Sequence, residues 1–141
     1  MAKLLGNTRP TSGVQLGFYK DRYYGGNSYF HYKTNVTFSN IMVMIEAVGY
    51  SYGNNAPIRC AWCFYAYGNG SIYSVGTQNT YDGLSAYSVY KSTDSYIVIV
   101  ANGAAYYSGW VFNAYTVAPA GYNFEVGFTS VTQTTATSGV Y

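Results

Sequence analysis

Charge is the first property that this sequence has little of. Only 9% of its 141 residues are Asp, Glu, Lys or Arg, against about 25% in an average soluble domain. The net charge is +2 and the basic residues are scattered, so the electrostatic footprint of a nucleic-acid-binding protein is missing. We therefore expect no nucleic-acid partner, and a surface covered largely by Ser, Thr, Asn, Gly and the hydroxyl groups of Tyr.

Long apolar runs are also missing. No run approaches the roughly 18 residues that a helix needs to cross a bilayer. The first ten residues, MAKLLGNTRP, are too short and too polar for a signal peptide. The sequence thus predicts no membrane insertion, and synthesis in a cytoplasm without a secretion signal.

Groups that carry out catalysis are scarce. His31 is the sole histidine, and no G-x-S-x-G motif accompanies it. The five carboxylates are scattered, which gives no local indication of a glycosidase pair. The glycines punctuate strand-like runs and form no phosphate-binding loop. We expect no enzymatic activity, no catalytic residue, no metal and no cofactor.

The two cysteines, Cys60 and Cys63, form a C-x-x-C within the strand-like run IRCAWCFYAY. Cysteines three apart on an extended strand point to opposite faces with Cα atoms about 10 Å apart, too far for a disulfide. A structural zinc ion would need two further ligands. The pattern favours two small buried thiols; a disulfide at an irregular turn and a metal site are the alternatives.

Tyrosine, in contrast, is abundant. The chain has 19 tyrosines, and aromatic residues make up 20% of it. A Tyr ring is apolar while its hydroxyl group stays hydrated, which suits protein contacts and binding loops. Aromatic side chains also favour strands. We interpret most of these tyrosines as packing or subunit contacts and the remainder as ligand contacts.

Short β-branched and aromatic runs recur between Gly and Asn turns, and helix signals are nearly absent. The chain is therefore predicted to be all-β, an antiparallel, jelly-roll-like β-sandwich that assembles as a symmetric oligomer. We divide it into an N-terminal arm (1–12), a sandwich domain (13–131) and a C-terminal tail or edge strand (132–141). The candidate strands are 14–19, 29–38, 41–52, 58–67, 71–75, 96–101, 106–116 and 122–131.

The run YFHYKTNVTF, 29–38, alternates as a half-buried strand does. One face has Phe30 and Tyr32, followed by Thr34, Val36 and Phe38. The other face is wetter. It is interpreted either as a solvated outer face or as a polar contact surface for a sugar or a symmetry mate, and its candidate residues are Tyr29, His31, Lys33 and Asn35.

The run TQNTYDGLSAYSVYKST, 77–93, has no clear period and is interpreted as a long surface loop. Long ordered loops in compact domains are usually functional. Aromatic rings with amide and hydroxyl groups nearby are typical of sugar-binding sites in β proteins, which makes this run a candidate ligand-contact region. Its candidate residues are Asn79, Tyr81, Asp82, Tyr87 and Tyr90.

Glu46 lies within the apolar run IMVMIEAVGY, which we interpret as a central strand because of its β-branched residues. A carboxylate there must be paired, protonated or turned toward solvent. Arg59 is a possible partner.

The segments YFHYKTN, MIEAVGYSYG, PIRCAWCFYAY and PAGYNFEVGF combine alternating tyrosine and glycine with almost no charge. This texture resembles virion proteins of tailed bacteriophages, especially tail-fibre and adhesin-like domains. The resemblance implies an all-β virion component, made in the host cytoplasm, commonly trimeric, that contacts other virion proteins and a host-surface glycan or protein. The alternative is a capsid-decorating or self-assembling subunit that binds no receptor.

Overall fold

A computed structural model of the chain describes residues 15–79, 83–117 and 124–141. The proposed N-terminal arm lies outside these residues. Nine strands are present and the described residues contain no helix, which confirms the all-β prediction. The strands are β1 (Gln15–Tyr23), β2 (Tyr29–Thr34), β3 (Ile41–Ser51), β4 (Ala56–Ala66), β5 (Ile72–Asn79), β6 (Leu84–Lys91), β7 (Ile97–Gly103), β8 (Ser108–Val117) and β9 (Phe128–Thr134).

The strands form two antiparallel sheets that pack face to face as a sandwich. One sheet has five strands in the order β1-β8-β3-β4-β5, and the other has four in the order β6-β7-β2-β9. β1 pairs with β8 in one sheet, and β2 pairs with β7 in the other. Because β2 and β7 lie between β1 and β8 along the chain, the second pair is nested within the first, as in a jelly roll. β3, β4 and β5 instead follow one another as hairpins within one sheet.

The core lies between the sheets and follows the two-residue period. Along β3 and β4 alternate residues are buried, and the large side chains at the centre are Tyr32, Trp62 and Phe112. The polar atoms of this core are bonded: Trp62 Nε1 donates to the carbonyl oxygen of Val100 at 3.0 Å, and the Tyr32 hydroxyl donates to Asp21 Oδ2 at 2.7 Å. Burial and the nearby Asp21 carboxylate raise the pKa of Tyr32 well above its usual value.

The prediction of a long loop over 77–93 is wrong. Residues 77–79 complete β5, and β6 occupies Leu84–Lys91. β6 pairs with β7, but its register shifts between Ala86 and Ser88. Such a bulge changes which residues face the core partway along the strand, so no single period extends over the run.

The C-terminal residues contribute an edge strand and then a covering segment. β9 is an edge strand of the four-stranded sheet, and it begins at Phe128, later than the predicted 122. Residues 135–141, here called the C-terminal segment, cross the outer face of the same sheet. The backbone nitrogen of Thr93 donates to the Tyr141 carbonyl oxygen at 3.2 Å, and the Thr132 and Tyr141 hydroxyls lie 2.6 Å apart. The segment therefore packs on its own sheet.

Since the part of the chain that the structure describes is entirely strand and loop, it supplies no helix long and apolar enough to span a membrane.

Candidate functional site

His31 is fully buried, so the prediction of a wetter outer face on β2 is wrong at this residue. Its Nε2 lies 2.8 Å from the carbonyl oxygen of Ala136, and its Nδ1 lies 3.0 Å from the Tyr90 hydroxyl. Because a carbonyl oxygen only accepts, Nε2 carries the hydrogen, and in the neutral imidazole Nδ1 then accepts from the Tyr90 hydroxyl. The C-terminal segment thus covers His31, and the imidazole holds that segment in place.

Lys33 and Asn35, the other polar residues of this face, are also engaged by the chain itself. The Lys33 ammonium pairs with Asp94 and lies 5.7 Å from the ring centroid of Tyr141. This hydrogen bond holds the pKa of the Asp94 carboxyl below its usual value. The Asn35 amide donates to the carbonyl oxygen of Glu125 at 2.9 Å. These contacts fasten segments that are distant in sequence, which is a structural role.

The candidates of the 77–93 run do not form one described site. Tyr81 and Asp82 lie outside the described residues. Asn79 bonds to the backbone of β6, since its Oδ1 accepts from the Ala86 nitrogen at 2.6 Å. Its side chain therefore links β5 to β6.

The two remaining candidates of the run lie on the outer face of the four-stranded sheet. Tyr87 is 47% exposed, and its ring contacts that of Tyr29 edge-on with centroids 5.1 Å apart. The Tyr90 hydroxyl accepts from the backbone nitrogen of Val140 at 3.2 Å, and burial raises the pKa of Tyr90. Of this pair, Tyr87 is the one that presents an open ring.

A different group of tyrosines meets at one end of the sandwich, where the β1–β2, β3–β4 and β7–β8 connections lie. We call Tyr24, Tyr52, Tyr106 and Tyr107 the tip cluster; each is about half exposed or more, with Tyr52 at 65% and Tyr106 at 64%. The ring of Tyr107 is central. Its centroid lies 5.0 Å from that of Tyr24, 6.2 Å from that of Tyr52 and 6.1 Å from that of Tyr106.

Backbone contacts hold the tip cluster together. The Tyr52 nitrogen donates to the Tyr107 carbonyl oxygen at 3.0 Å. A Cβ atom at Gly53 would lie 2.6 Å from the Tyr106 carbonyl oxygen, so only glycine permits this close approach. Tyr107 has a φ of 58°, an uncommon conformation for a residue with a side chain. A hydrogen bond with Tyr24 raises the pKa of Tyr107.

Beside the tip cluster, a shallow groove of about 600 Å³ runs over the outer face of β1, β8 and β3; we call it the outer groove. Two rows of outward-facing residues cross these three strands. One row is Arg22, Gly109 and Tyr50, and the row two residues away along each strand is Lys20, Val111 and Val48. The Arg22 guanidinium lies 5.3 Å from the ring centroid of Tyr24. The outer groove is therefore continuous with the tip cluster.

A second open surface lies farther along the same sheet. Met42 is opposite Tyr65 on one side and Val117 on the other, and a groove of about 480 Å³ lies over them; we call this the apolar patch. Cys63 belongs to this surface and is exposed, whereas Cys60 is buried and burial raises its pKa to about 12. The two thiols are free and face opposite ways, as predicted, but the prediction that both are buried is wrong for Cys63.

Glu46 lies on the same outer face, between the outer groove and the apolar patch. Its Oε1 accepts from the Tyr115 hydroxyl at 3.0 Å, which raises the pKa of Tyr115. Glu46 and Arg59 line one recess of about 180 Å³. The carboxylate is thus turned outward and hydrogen-bonded. Within the ranges that the structure describes, no three His, Cys, Asp or Glu side chains are grouped to hold a metal ion.

Sequence reasoning missed the tip cluster, although a signal for it was present. Two tyrosines stand within three residues of a glycine in each of three segments, RYYGG, GYSYG and AAYYSG. Tyr23 and Tyr24 fall between two predicted strands, and the other two pairs lie at the end of the predicted strand 41–52 and at the start of the predicted strand 106–116. A glycine near a strand end permits a tight turn. The pattern does not show that the three connections lie at the same end of the sandwich, because that depends on the number of strands between them.

No protein-family model, curated protein or solved structure matches the chain. The chemistry that the tip cluster and the outer groove offer is contact: exposed rings, hydroxyl groups and two cationic side chains.

Proposed function

We propose that the protein is a virion structural protein of the tail-fibre, knob or appendage kind, and that it contacts a host-surface carbohydrate through the tip cluster. The convergence of four exposed tyrosines from three connections at one end of a rigid sandwich carries this proposal. The resemblance of the sequence to tail-fibre and adhesin-like domains supports it.

The physics of tyrosine fits such a contact. A Tyr ring offers a large contact area while fixing only two side-chain torsions, and its hydroxyl donates and accepts hydrogen bonds. The C–H faces of a sugar ring pack on aromatic faces, and sugar hydroxyls match the phenol groups. Because Tyr107 contacts its three neighbours, the rings are already positioned before a ligand arrives, which lowers the entropic cost of binding.

Paired substitutions test the proposal. The wild-type protein is applied to an array of bacterial surface glycans, and the affinity for the strongest ligand is measured by calorimetry. The tip variant Tyr52→Ala/Tyr106→Ala is expected to bind that glycan at least about tenfold more weakly, since two exposed rings are lost. The control Tyr87→Ala removes a ring that is 47% exposed on the other sheet, and it is expected to bind as the wild type does.

Equal affinities of the tip variant and the wild type would overturn the assignment of the contact to the tip cluster. A wild-type protein that binds no glycan on the array would overturn carbohydrate contact itself.

The apolar patch favours a second candidate function, that of a self-assembling or capsid-decorating subunit without receptor binding. An outward-facing row of Tyr65, Met42 and Val117 is typical of a protein contact, since monomers rarely leave such surface open. Native mass spectrometry tests this. A closed oligomer, with a trimer as the expectation from the resemblance, is predicted to dissociate in Met42→Lys/Val117→Lys but not in Ser130→Lys, which adds a lysine to exposed β9.

A wild-type monomer would overturn the assembly candidate. An oligomer that binds no glycan would favour it over the recognition function.

A further inference from the structure

The outer groove is bordered by two exposed cations, Lys20 and Arg22, on the outer face of edge strand β1. Among the residues that the structure describes, neither of them forms an ion pair. In a chain with a net charge of +2 and a charged fraction of 9%, two cations that form no ion pair with the described residues are a local concentration of positive charge at one groove. An exposed cation that the protein leaves unpaired is available to an anionic ligand.

The acidic residue between these cations does not neutralise the groove by pairing with them. The Asp21 side chain is directed to the interior, where Oδ2 accepts from the Tyr32 hydroxyl at 2.7 Å. Its Oδ1 accepts from the backbone nitrogen of Arg22 at 2.8 Å. Both carboxylate oxygens are thus bonded within the protein. Glu46, the acid on the neighbouring part of the sheet, is bonded to Tyr115.

Gly109 makes the space for a ligand between Arg22 and Tyr50. Across the three strands these residues are direct neighbours, so Arg22 and Tyr50 are two strand spacings, about 10 Å, apart. A Cβ atom at Gly109 would meet no atom closer than the Asp21 carbonyl oxygen at 3.9 Å. At Gly109 the floor of the groove is therefore bare backbone, and Val111 and Val48 line the next row. Tyr50, 53% exposed, offers a ring at one side and Arg22 a guanidinium at the other.

We infer that the outer groove binds an anionic sugar, whose ring packs on Tyr50 and whose carboxylate or phosphate lies between Lys20 and Arg22. This inference rests on the proposed carbohydrate contact and specifies the class of carbohydrate. Guanidinium groups bind carboxylate and phosphate through paired hydrogen bonds, and the lysine adds a second charge. The neighbouring tip cluster would contact the sugars that follow along the same chain.

Matched saccharides test the charge requirement. The probes are an oligosaccharide of hexuronic acid, the same oligosaccharide after reduction of its carboxyl groups to hydroxymethyl groups, and a polymer of sugar phosphate. The acidic oligosaccharide or the sugar phosphate is expected to bind at least tenfold more tightly than the reduced, neutral one. The stronger of the two identifies which anion the groove takes. This preference is expected to shrink as salt is raised, because exposed charges are screened.

Two variants test the location. Lys20→Gln/Arg22→Gln is expected to abolish the preference, so that the variant binds the anionic and the neutral probes with equal affinity. Lys91→Gln, which removes an exposed lysine that bonds to Gly70 at the opposite end, is the control and is expected to retain the preference. Gly109→Val places a side chain on the groove floor, where the backbone conformation and the free space allow it, and is expected to weaken acidic-probe binding at least tenfold without lowering the melting temperature.

If neither the acidic oligosaccharide nor the sugar phosphate binds more tightly than the reduced probe, the inference is overturned and carbohydrate contact still stands. A preference that survives Lys20→Gln/Arg22→Gln would also overturn it. Failure of all three probes and of the glycan array would overturn the proposed function together with the inference.

Discussion

The two sheets of this protein present outer faces of opposite character. On the four-stranded sheet the C-terminal segment bonds to His31, and His31, Val98 and Val100 are all fully buried although they lie outside the core between the sheets. Val100 is opposite His31 in the sheet, and Val98 is opposite Lys33. On the five-stranded sheet the outer face is open, with Tyr50, Met42 and the surrounding grooves exposed. The polar face of β2 that sequence reasoning proposed as a contact surface is therefore closed by the chain itself, whereas open surface lies on the opposite sheet and at the tip.

Removal of the C-terminal segment is expected to abolish the difference between the two outer faces. It is expected to lower the free energy of unfolding more than a single substitution on either face would. Deletion of 135–141 would remove the cover of His31, and we expect it to expose the neighbouring Val100 and Val98. Each fully buried valine contributes about 1.5–3 kcal/mol, so the free energy of unfolding should fall by up to about 6 kcal/mol. Urea denaturation measures this. The control Thr137→Ala/Ser138→Ala alters two exposed residues of the segment and should leave the midpoint unchanged. A truncated protein as stable as the full chain would contradict the covering role.

A matched pair of valines compares the two faces directly. Val98→Thr on the covered face puts a hydroxyl group where water is excluded, and we expect it to cost about 1–3 kcal/mol. Val117→Thr on the open face changes a side chain that is 61% exposed, and the free energy of unfolding should stay within about 0.5 kcal/mol. Chemical denaturation of both variants under one condition provides the measurement. Equal losses would show that the open face is also covered, as by a partner subunit.

The two cysteines sharpen the contrast between the inner and outer faces of the five-stranded sheet. Burial raises the pKa of Cys60 from 9.0 to about 12, so between these values the unfolded state releases the thiol proton and the folded state keeps it. Stability should therefore be unaffected below pH 9 and fall above it, with a slope approaching about 1.4 kcal/mol per pH unit. In Cys60→Ala this contribution should vanish, while Cys63→Ala should retain it. Denaturation from pH 8 to 11 measures the difference, and parallel curves for the two variants would refute the assignment.

Much of the fold follows from short-range pattern. The alternation of 29–38 predicts that Phe30, Tyr32, Thr34 and Val36 face the core, and all four are buried there. The spacing of Cys60 and Cys63 predicts opposite faces, because an extended strand alternates. β6 was missed where this logic fails: its bulge changes the alternation between Ala86 and Ser88.

The candidate site was less accessible to sequence reasoning. His31 pairs with Ala136 across 105 positions, and no local pattern shows that a remote segment will cover a strand face. The tip tyrosines stand near glycines in the sequence, but they come together only because their three connections lie at the same end of the sandwich. The number of strands between two connections decides which end each occupies, and strand β6 was not predicted from the sequence. Gly109 lies inside the predicted strand 106–116, and its sequence position does not show that Arg22 and Tyr50 lie on either side of it.

The sequence by itself determined an all-β chain, the direction of each side chain relative to its own strand, and a surface of hydroxyl groups with little charge. Only the tertiary structure decided which outer face is closed, which tyrosines meet and where two cations border a groove. The physical reason is that alternation is a property of neighbouring residues, whereas the cover over a face and the convergence of connections depend on strand order and on contacts between segments far apart in the chain.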